Sequence, residues 1–120
     1  MKAIVKRLYA DDFEPLESVD ISDPTCFELN VCVMVGPVAT SGEESFDITV
    51  CTPGWLMLEC ERRHVVWGRN YLVVDTYNVA TIKETIQRKV DSIGADTWEE
   101  FAHKLGRWAR WEFEDYKPRV

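Results

Sequence analysis

The chain has 120 residues, of which 46% are hydrophobic and 29% charged, with a formal net charge of −7 at pH 7. This length and composition are typical of one globular domain with a single core, over residues 1–120, and argue against a disordered chain. No apolar run approaches the roughly 20 residues that span a bilayer. Lys6 and Arg7 interrupt any apolar centre of an N-terminal signal peptide, so we expect a cytoplasmic protein.

The charges are distributed unevenly along the chain. Between Leu8 and Glu61 there is no lysine or arginine, while aspartate and glutamate recur throughout that span. Such a division predicts a negative field on one side, which argues against nucleic acid or an anionic membrane as partner because phosphate contacts need basic residues. It favours a basic protein partner, although an acidic face that only aids solubility is the alternative.

The first half of the chain predicts three strands. Lys2 to Ala10 is the first, and the stretch from Asp11 to Thr25, with six acidic residues and two prolines, predicts a long connection with a short turn near Leu16. Phe27 to Val35 alternates apolar and polar residues with period two, which predicts the second strand. A loop of small residues then leads back to the third strand, in which Phe46, Ile48 and Val50 alternate with polar residues.

A helix is expected directly after the third strand. Thr52 followed by Pro53 is typical of a helix start, and the helix should end at Arg62 or Arg63, with Trp55, Leu56 and Leu58 as its apolar contacts. The segments His64 to Trp67 and Tyr71 to Tyr77 are rich in β-forming residues. Gly68-Arg69-Asn70 between them is either a bulge or a tight turn.

Two further helices are predicted near the C-terminus. One begins at a cap, Asn78 or Thr81, and stops at Gly94, and the next begins with the capping box from Thr97 to Glu100. Trp98 and Trp108 belong to its apolar stripe and are assigned to the core. The tail from Trp111 to Lys117 is an edge strand or a frayed helix end. Together these elements predict an α+β fold, with an antiparallel sheet of about four to five strands and three helices, two of them C-terminal, packed on one face.

No constellation typical of an enzyme is visible. Cys51 and Cys60 are candidate nucleophiles, and His64 and His103 are candidate bases. Cys60 and His64 are close in the sequence, but no third group is visible that would orient the histidine toward the cysteine. There is no phosphate-cradling glycine-rich loop, HExxH or GxSxG. The clustered carboxylates that would act as acid and base have no contrasting environments: Glu112, Glu114 and Asp115.

The four cysteines and two histidines do not suggest a metal site. No CxxC pair occurs, and neither histidine stands at a metal-ligand spacing from a cysteine. In a reducing cytosol, strand cysteines such as Cys32 and Cys51 are usually small buried hydrophobes. We therefore expect no catalytic residue, no metal and no cofactor. A small cysteine-dependent enzyme is the weakest of the hypotheses.

Four sequence blocks stand out together. They are GEESFDITVCTPGWL (Gly42 to Leu56), GRNYLVV (Gly68 to Val74), the tryptophan after a capping threonine (Trp98) and WEFEDY (Trp111 to Tyr116). In this combination they resemble the immunity protein 8 family of bacterial polymorphic toxin and contact-dependent growth inhibition systems. Their order spans most of the chain from Val35 onward. The acidic stretch from Asp11 to Thr25 has no matching motif.

The resemblance implies an inhibitor that binds and neutralises a cognate toxin inside the cell that makes it. Many such toxins are nucleases, whose basic substrate groove would attract an acidic protein. Tight binding would also need desolvated aromatic anchors. The expected toxin contacts are acidic residues at the start of the third strand (Glu43, Glu44 and Asp47) and in the tail (Glu112, Glu114 and Asp115). Two aromatic residues of the tail, Trp111 and Tyr116, are expected to contact the toxin as well. Next come acidic residues of the loop: Asp11, Asp12, Glu14 and Glu17.

Two alternatives remain open at this point. The family blocks are either toxin-facing or a shared scaffold, in which case Glu44 or Asp47 pairs internally with Arg69 and the acidic loop is the better interface. The second alternative is that the protein is a generic acidic interaction module outside toxin systems. The sequence does not indicate whether the chain self-associates.

Overall fold

The computed structural model describes residues 1–115. They form an α+β fold with a five-stranded sheet and three helices, which confirms the predicted fold class. In chain order the elements are β1 (Ala3–Tyr9), β2 (Glu28–Pro37), β3 (Glu44–Cys51), α1 (Pro53–Arg63), β4 (Tyr71–Val73), α2 (Val79–Ser92), α3 (Trp98–Leu105) and β5 (Arg110–Trp111).

The sheet is antiparallel except at one short pairing. β1, β2 and β3 form an antiparallel meander, and β5 pairs antiparallel with β3 at Phe46 and Asp47. β4 lies on the same side of β3, next to Thr49–Cys51, and runs parallel to it. The parallel direction of β4 follows from its connection to β3. α1 is a crossover that carries the chain back alongside β3, so that β4 runs in the same direction as β3.

Alternation along β2 and β3 gives the sheet one buried face. Val31, Val33 and Val35 are buried in β2, as are Phe46, Ile48 and Val50 in β3. α2 and α3 contribute the residues packed in the same core cluster, which are Ile82, Ile86, Val90, Phe101, Ala102 and Leu105. Because successive residues of a strand point to opposite faces, the polar residues between these positions lie on the other face.

The helix starts are set by local side-chain bonds. The Thr52 hydroxyl accepts a hydrogen bond from Trp55 N, as the predicted cap requires. Asn78 accepts from Thr81 N at 3.1 Å, so Asn78 rather than Thr81 is the cap of α2. Thr97 caps α3, but the Glu100 carboxylate reaches back to the backbone N–H of Asp96 and not to that of Thr97.

The expectation of β structure from His64 to Trp67 is wrong. His64 ends α1 in the left-handed conformation, with φ of 69°, and its N–H donates to Cys60 O at 2.7 Å. Asn70 is also left-handed, with φ of 63°, and the chain turns there into β4. Gly68-Arg69-Asn70 is therefore a loop and turn rather than a bulge within a strand.

Two apolar residues assigned to packing are exposed. α3 ends at Leu105, so Trp108 falls outside the helical period and is 55% exposed, with the Lys89 ammonium 3.6 Å from its ring centroid. Leu58 in α1 is 56% exposed, and the buried residue of that helix is Glu59, which pairs with Arg62. Trp98 does pack in the interior, against Phe46 and Phe101.

The acidic connection is fastened to the body of the protein. It contains a single 3₁₀ turn, Leu16–Ser18, and the Leu16 side chain is completely buried. The Tyr77 hydroxyl donates to Leu16 O at 2.9 Å, and Tyr77 N donates to Pro24 O at 2.8 Å. Contacts with Tyr77 therefore hold the backbone of the loop against the body of the protein at Leu16 and Pro24.

Candidate functional site

The face of the sheet opposite α2 and α3 carries a groove of about 590 Å³. We call it the sheet groove. Strand register arranges its side chains in transverse rows: Tyr9 faces Cys32, Cys32 faces Asp47, and Asp47 faces Arg110. A second row places Asn30 beside Thr49, whose hydroxyl lies 3.1 Å from Asn30 Oδ1. Asp11, Arg69 and Asn70 complete the two ends of the groove.

Two of the sheet groove's carboxylates form no ion pair with the described part of the chain. These are Asp47, which lies on β3, and Asp11, which follows β1 in the left-handed conformation with φ of 51°. Both are exposed. Arg69, by contrast, is already paired with Glu114. The charged groups of the groove that form no ion pair within residues 1–115 are thus two carboxylates, near β1 and on β3, and the guanidinium of Arg110 at the β5 edge.

Cys32 lies in the floor of the sheet groove as a protonated thiol. Burial raises its pKa most, and the neighbouring Asp47 carboxylate raises it further. Tyr9 beside it has a raised pKa, chiefly because its hydroxyl is hydrogen-bonded to Cys32. Both groups are neutral at pH 7 and offer hydrogen bonds rather than nucleophilic chemistry.

The proposed nucleophiles lack the surroundings of a catalytic thiol. Cys51 is completely buried, and this burial raises the pKa of its thiol above the ordinary value. Cys60 is exposed, and the bond that joins it to His64 is between backbone atoms. Within residues 1–115 there is also no group of three or more His, Cys, Asp or Glu side chains placed to hold a metal ion.

The acids of the third strand's entry are bonded inside the protein. Glu43 pairs with Arg7 at 2.8 Å, and Glu44 Oε1 accepts from the indole Nε1 of Trp111 at 2.8 Å. Neither Glu44 nor Asp47 pairs with Arg69, contrary to the expectation for an internal contact. These two glutamates tie β3 to β1 and to β5.

The tail is bonded back onto the same strand. Glu112 Oε1 accepts from Ser45 N at 2.8 Å, and Glu114 pairs with Arg69. Trp111 is half-buried and stacks on Phe46, with ring centroids 6.3 Å apart and planes 11° from parallel. Asp115 is exposed, with φ of 61°, and forms no ion pair within the described residues. Tyr116 lies outside the described residues.

The acidic loop divides in the same way. Glu14 pairs with Arg7 at 3.1 Å and Glu17 with Lys83 at 2.8 Å, whereas Asp11 and Asp12 are exposed without an ion pair within residues 1–115. Of the candidate contact residues within residues 1–115, Asp11 and Asp47 share the sheet groove, Glu43 and Glu44 share another depression, and Trp111, Glu114 and Asp115 line a third.

Sequence reasoning missed the neutral side chains of the sheet groove. Asn30, Thr49 and Tyr9 lie there because they alternate with core residues, and that alternation is visible in the sequence. What the sequence lacked was the information that α2 and α3 leave this face uncovered. Asn70 was not considered as a contact residue either, yet its side-chain oxygen is buried and has no donor within residues 1–115.

A second depression, of about 340 Å³, lies where two of the family blocks meet. Glu43 and Glu44 line it together with Trp98, whose indole Nε1 is buried without an acceptor in the described part of the chain. Both glutamates are already engaged, so this depression offers a partner fewer free groups than the sheet groove does.

Comparisons with known proteins give one match. The family model described as Immunity protein 8 matches residues 3–116. No curated protein and no solved structure matches significantly. Within residues 1–115, no helix has the length and apolar character needed to cross a membrane.

Proposed function

The chain belongs to the immunity protein 8 family, whose model covers residues 3–116, and we propose on that basis that it binds and neutralises a cognate bacterial toxin. The family match is the observation that carries this proposal. The toxin would belong to a contact-dependent inhibition or polymorphic toxin system, and the protein would act in the cytoplasm of the cell that makes it. It is an inhibitor by occlusion and turns over no substrate.

The charge of the chain supports a basic toxin, with a nuclease domain as the best candidate. A nuclease must hold phosphates, so its substrate groove is lined by lysine and arginine. A partner with a net charge of −7 is attracted to such a groove over long distances. Steering of this kind raises association rates to about 10⁸–10⁹ M⁻¹s⁻¹ at low salt, which limits the time for which free toxin damages its own cell.

The contacts within the protein divide the eleven candidate interface residues that lie within residues 1–115 into two groups. Those that already hold strands or loops together support a scaffold role, and they are Glu43, Glu44, Glu112, Glu114, Trp111, Glu14 and Glu17. We propose that toxin contact falls to the acids without an internal ion pair in residues 1–115, which are Asp11, Asp12, Asp47 and Asp115. Tyr116 stays a proposed contact from the sequence alone.

Co-expression tests the proposal directly. The toxin domain encoded beside this gene should arrest growth when expressed alone, and co-expression of this chain should restore growth. A complex should form at low salt and weaken as salt rises, because surface charges are screened beyond about 8 Å at 0.15 M ionic strength. A toxin from an unrelated system is the control. Unrelieved growth arrest together with the absence of a complex at low salt would overturn the proposal.

A further inference from the structure

We propose that α1 and the segment after it, residues 53–67, form a dimer interface, and that its occupant is the same surface of a second copy of this chain. We call these residues the α1 surface. Within residues 1–115, no residue of α1 belongs to the hydrophobic core cluster or packs against it, and the buried residue of α1 is Glu59. α1 has 11 residues, and helices shorter than about 12–15 residues are marginal in water without the packing of an apolar face. The apolar residues of α1 therefore lack the packing surface that a helix of this length needs.

The apolar side chains of the α1 surface are exposed to an unusual degree. Met57, Leu58 and Val65 are each more than half exposed, and Trp67 is 85% exposed, the highest fraction among the large hydrophobic residues within 1–115. Single exposed apolar residues are ordinary on protein surfaces, whereas a group of them in one short stretch is typical of an interaction site. At these exposures, three aliphatic side chains and one tryptophan present about 400–500 Å² of apolar surface.

This apolar area matches the area that a stable dimer needs. A standard interface buries about 800 Å² on each partner and is a little over half apolar, so each partner supplies about 450 Å² of apolar surface. Tryptophan is enriched among the few residues that carry most of the binding energy of an interface. The α1 surface thus offers the apolar area of an interface of ordinary size, with Trp67 as its expected anchor.

The charges of the α1 surface favour a second copy over a basic toxin. Two glutamates and two arginines cancel in residues 53–67, in a chain with a net charge of −7. Glu59 and Glu61 precede Arg62 and Arg63, so two copies of α1 that pair antiparallel about a twofold axis set the acidic half of each against the basic half of the other. Glu61 is exposed and forms no ion pair within residues 1–115, and Arg62 is exposed although it pairs with Glu59. Glu61 is therefore available to Arg62 of the second copy.

Sedimentation equilibrium of the full chain, over a range of concentrations and with a reducing agent present, tests the dimer. The mass should approach twice that of one chain as the concentration rises. Leu58→Glu and Trp67→Ser should each raise the dissociation constant of the dimer by about 100-fold or more, because each substitution occurs twice in a twofold interface. Val38→Glu adds the same charge at an exposed valine just after β2 and should change that constant by less than about threefold.

Each outcome decides for or against the α1 surface. Trp67 lies outside the helices and strands, so Trp67→Ser keeps the test valid should circular dichroism show that Leu58→Glu does not fold. A chain that sediments as a monomer at every concentration overturns the inference, and so does a dimer that Trp67→Ser leaves as tight as Val38→Glu does. If the chain is monomeric and Trp67→Ser weakens binding to the inactive toxin domain encoded beside this gene, the occupant is the toxin and the dimer is wrong. Dimerisation is measured without the toxin, so this result is independent of the proposed function.

Discussion

Replacing Thr52 with alanine tests how the sheet is joined to α1. Thr52 is completely buried, and its hydroxyl oxygen accepts from Phe27 N at 3.2 Å and from Trp55 N at 3.4 Å. Its own N–H donates to Phe27 O at 3.2 Å. One side chain therefore caps α1 and also satisfies the backbone at the start of β2.

The expected loss has three parts. Loss of an N-cap costs about 1 kcal/mol. A buried N–H left without an acceptor, here that of Phe27, costs about 1–3 kcal/mol more. The buried methyl group that alanine also lacks adds about 1 kcal/mol. The sum of about 3–5 kcal/mol is a large share of the 5–15 kcal/mol by which typical domains are stable, so Thr52→Ala should unfold at clearly lower urea concentration.

Two variants control for the other consequences of the change. Thr52→Ser keeps the hydroxyl and loses one buried methyl group, at a cost of about 1 kcal/mol. Thr97→Ala removes the cap of α3 at an exposed position and should cost about 1 kcal/mol through the cap alone. Urea titrations followed by circular dichroism give the three free energies of unfolding. If Thr52→Ala costs no more than Thr97→Ala, the buried hydrogen bond to Phe27 has no energetic role and the reasoning is wrong.

Three further predictions concern stability and reactivity. Gly36→Ala places a Cβ 1.9 Å from a backbone carbonyl oxygen and should cost about 1–3 kcal/mol or more, whereas Gly68→Ala meets nothing within 4 Å and should stay within about 0.5 kcal/mol in the same urea assay. A backbone N–H, and then a lysine, lower the pKa of Glu100, so its charge stabilises the fold above the ordinary glutamate pKa of about 4.3. The stability difference between wild type and Glu100→Gln should therefore vanish as the pH falls through the lowered pKa, and a difference that persisted in acid would contradict this. A thiol reagent should label Cys60 in the native protein before Cys51, whose burial raises its thiol pKa, and equal rates would contradict the assigned exposure.

Features that depend on neighbours in the sequence were predicted correctly. The alternation in β2 and β3 gave both the strands and their buried faces. The Thr52-Pro53 pair located the start of α1, because a cap and a proline at the first helical position act within one turn. Family membership was also predicted, since its blocks are local patterns.

Features that depend on distant contacts were not predicted. Trp108 was predicted to be buried because the helical period was extended to it, but α3 ends at Leu105. The β propensity of His64 to Trp67 produced no strand, and the segment that pairs with β3 at Thr49–Cys51 is β4. β propensity indicates that a segment can form a strand, and whether it does so depends on pairing with another strand in the folded protein.

The partners of the acids are the most important of these distant contacts. Glu44 reaches Trp111 across 67 positions of sequence, and Glu112 reaches back to Ser45 across the same separation. Nothing in the charge pattern distinguishes these glutamates from Asp47, three residues after Glu44. Only the fold shows that one carboxylate is engaged and that the other forms no ion pair within residues 1–115.

That distinction bears on which carboxylates would contact a toxin under the proposed function. A carboxylate that already accepts a hydrogen bond must exchange that bond for a new one, so its net gain on binding is only the difference between the two. Asp11 and Asp47 give up no ion pair within residues 1–115, and Asp47 has only its hydrogen bond with the Cys32 thiol to exchange. Glu44 and Trp111 fasten β5 to β3, so on energetic grounds recognition is expected at carboxylates outside this contact.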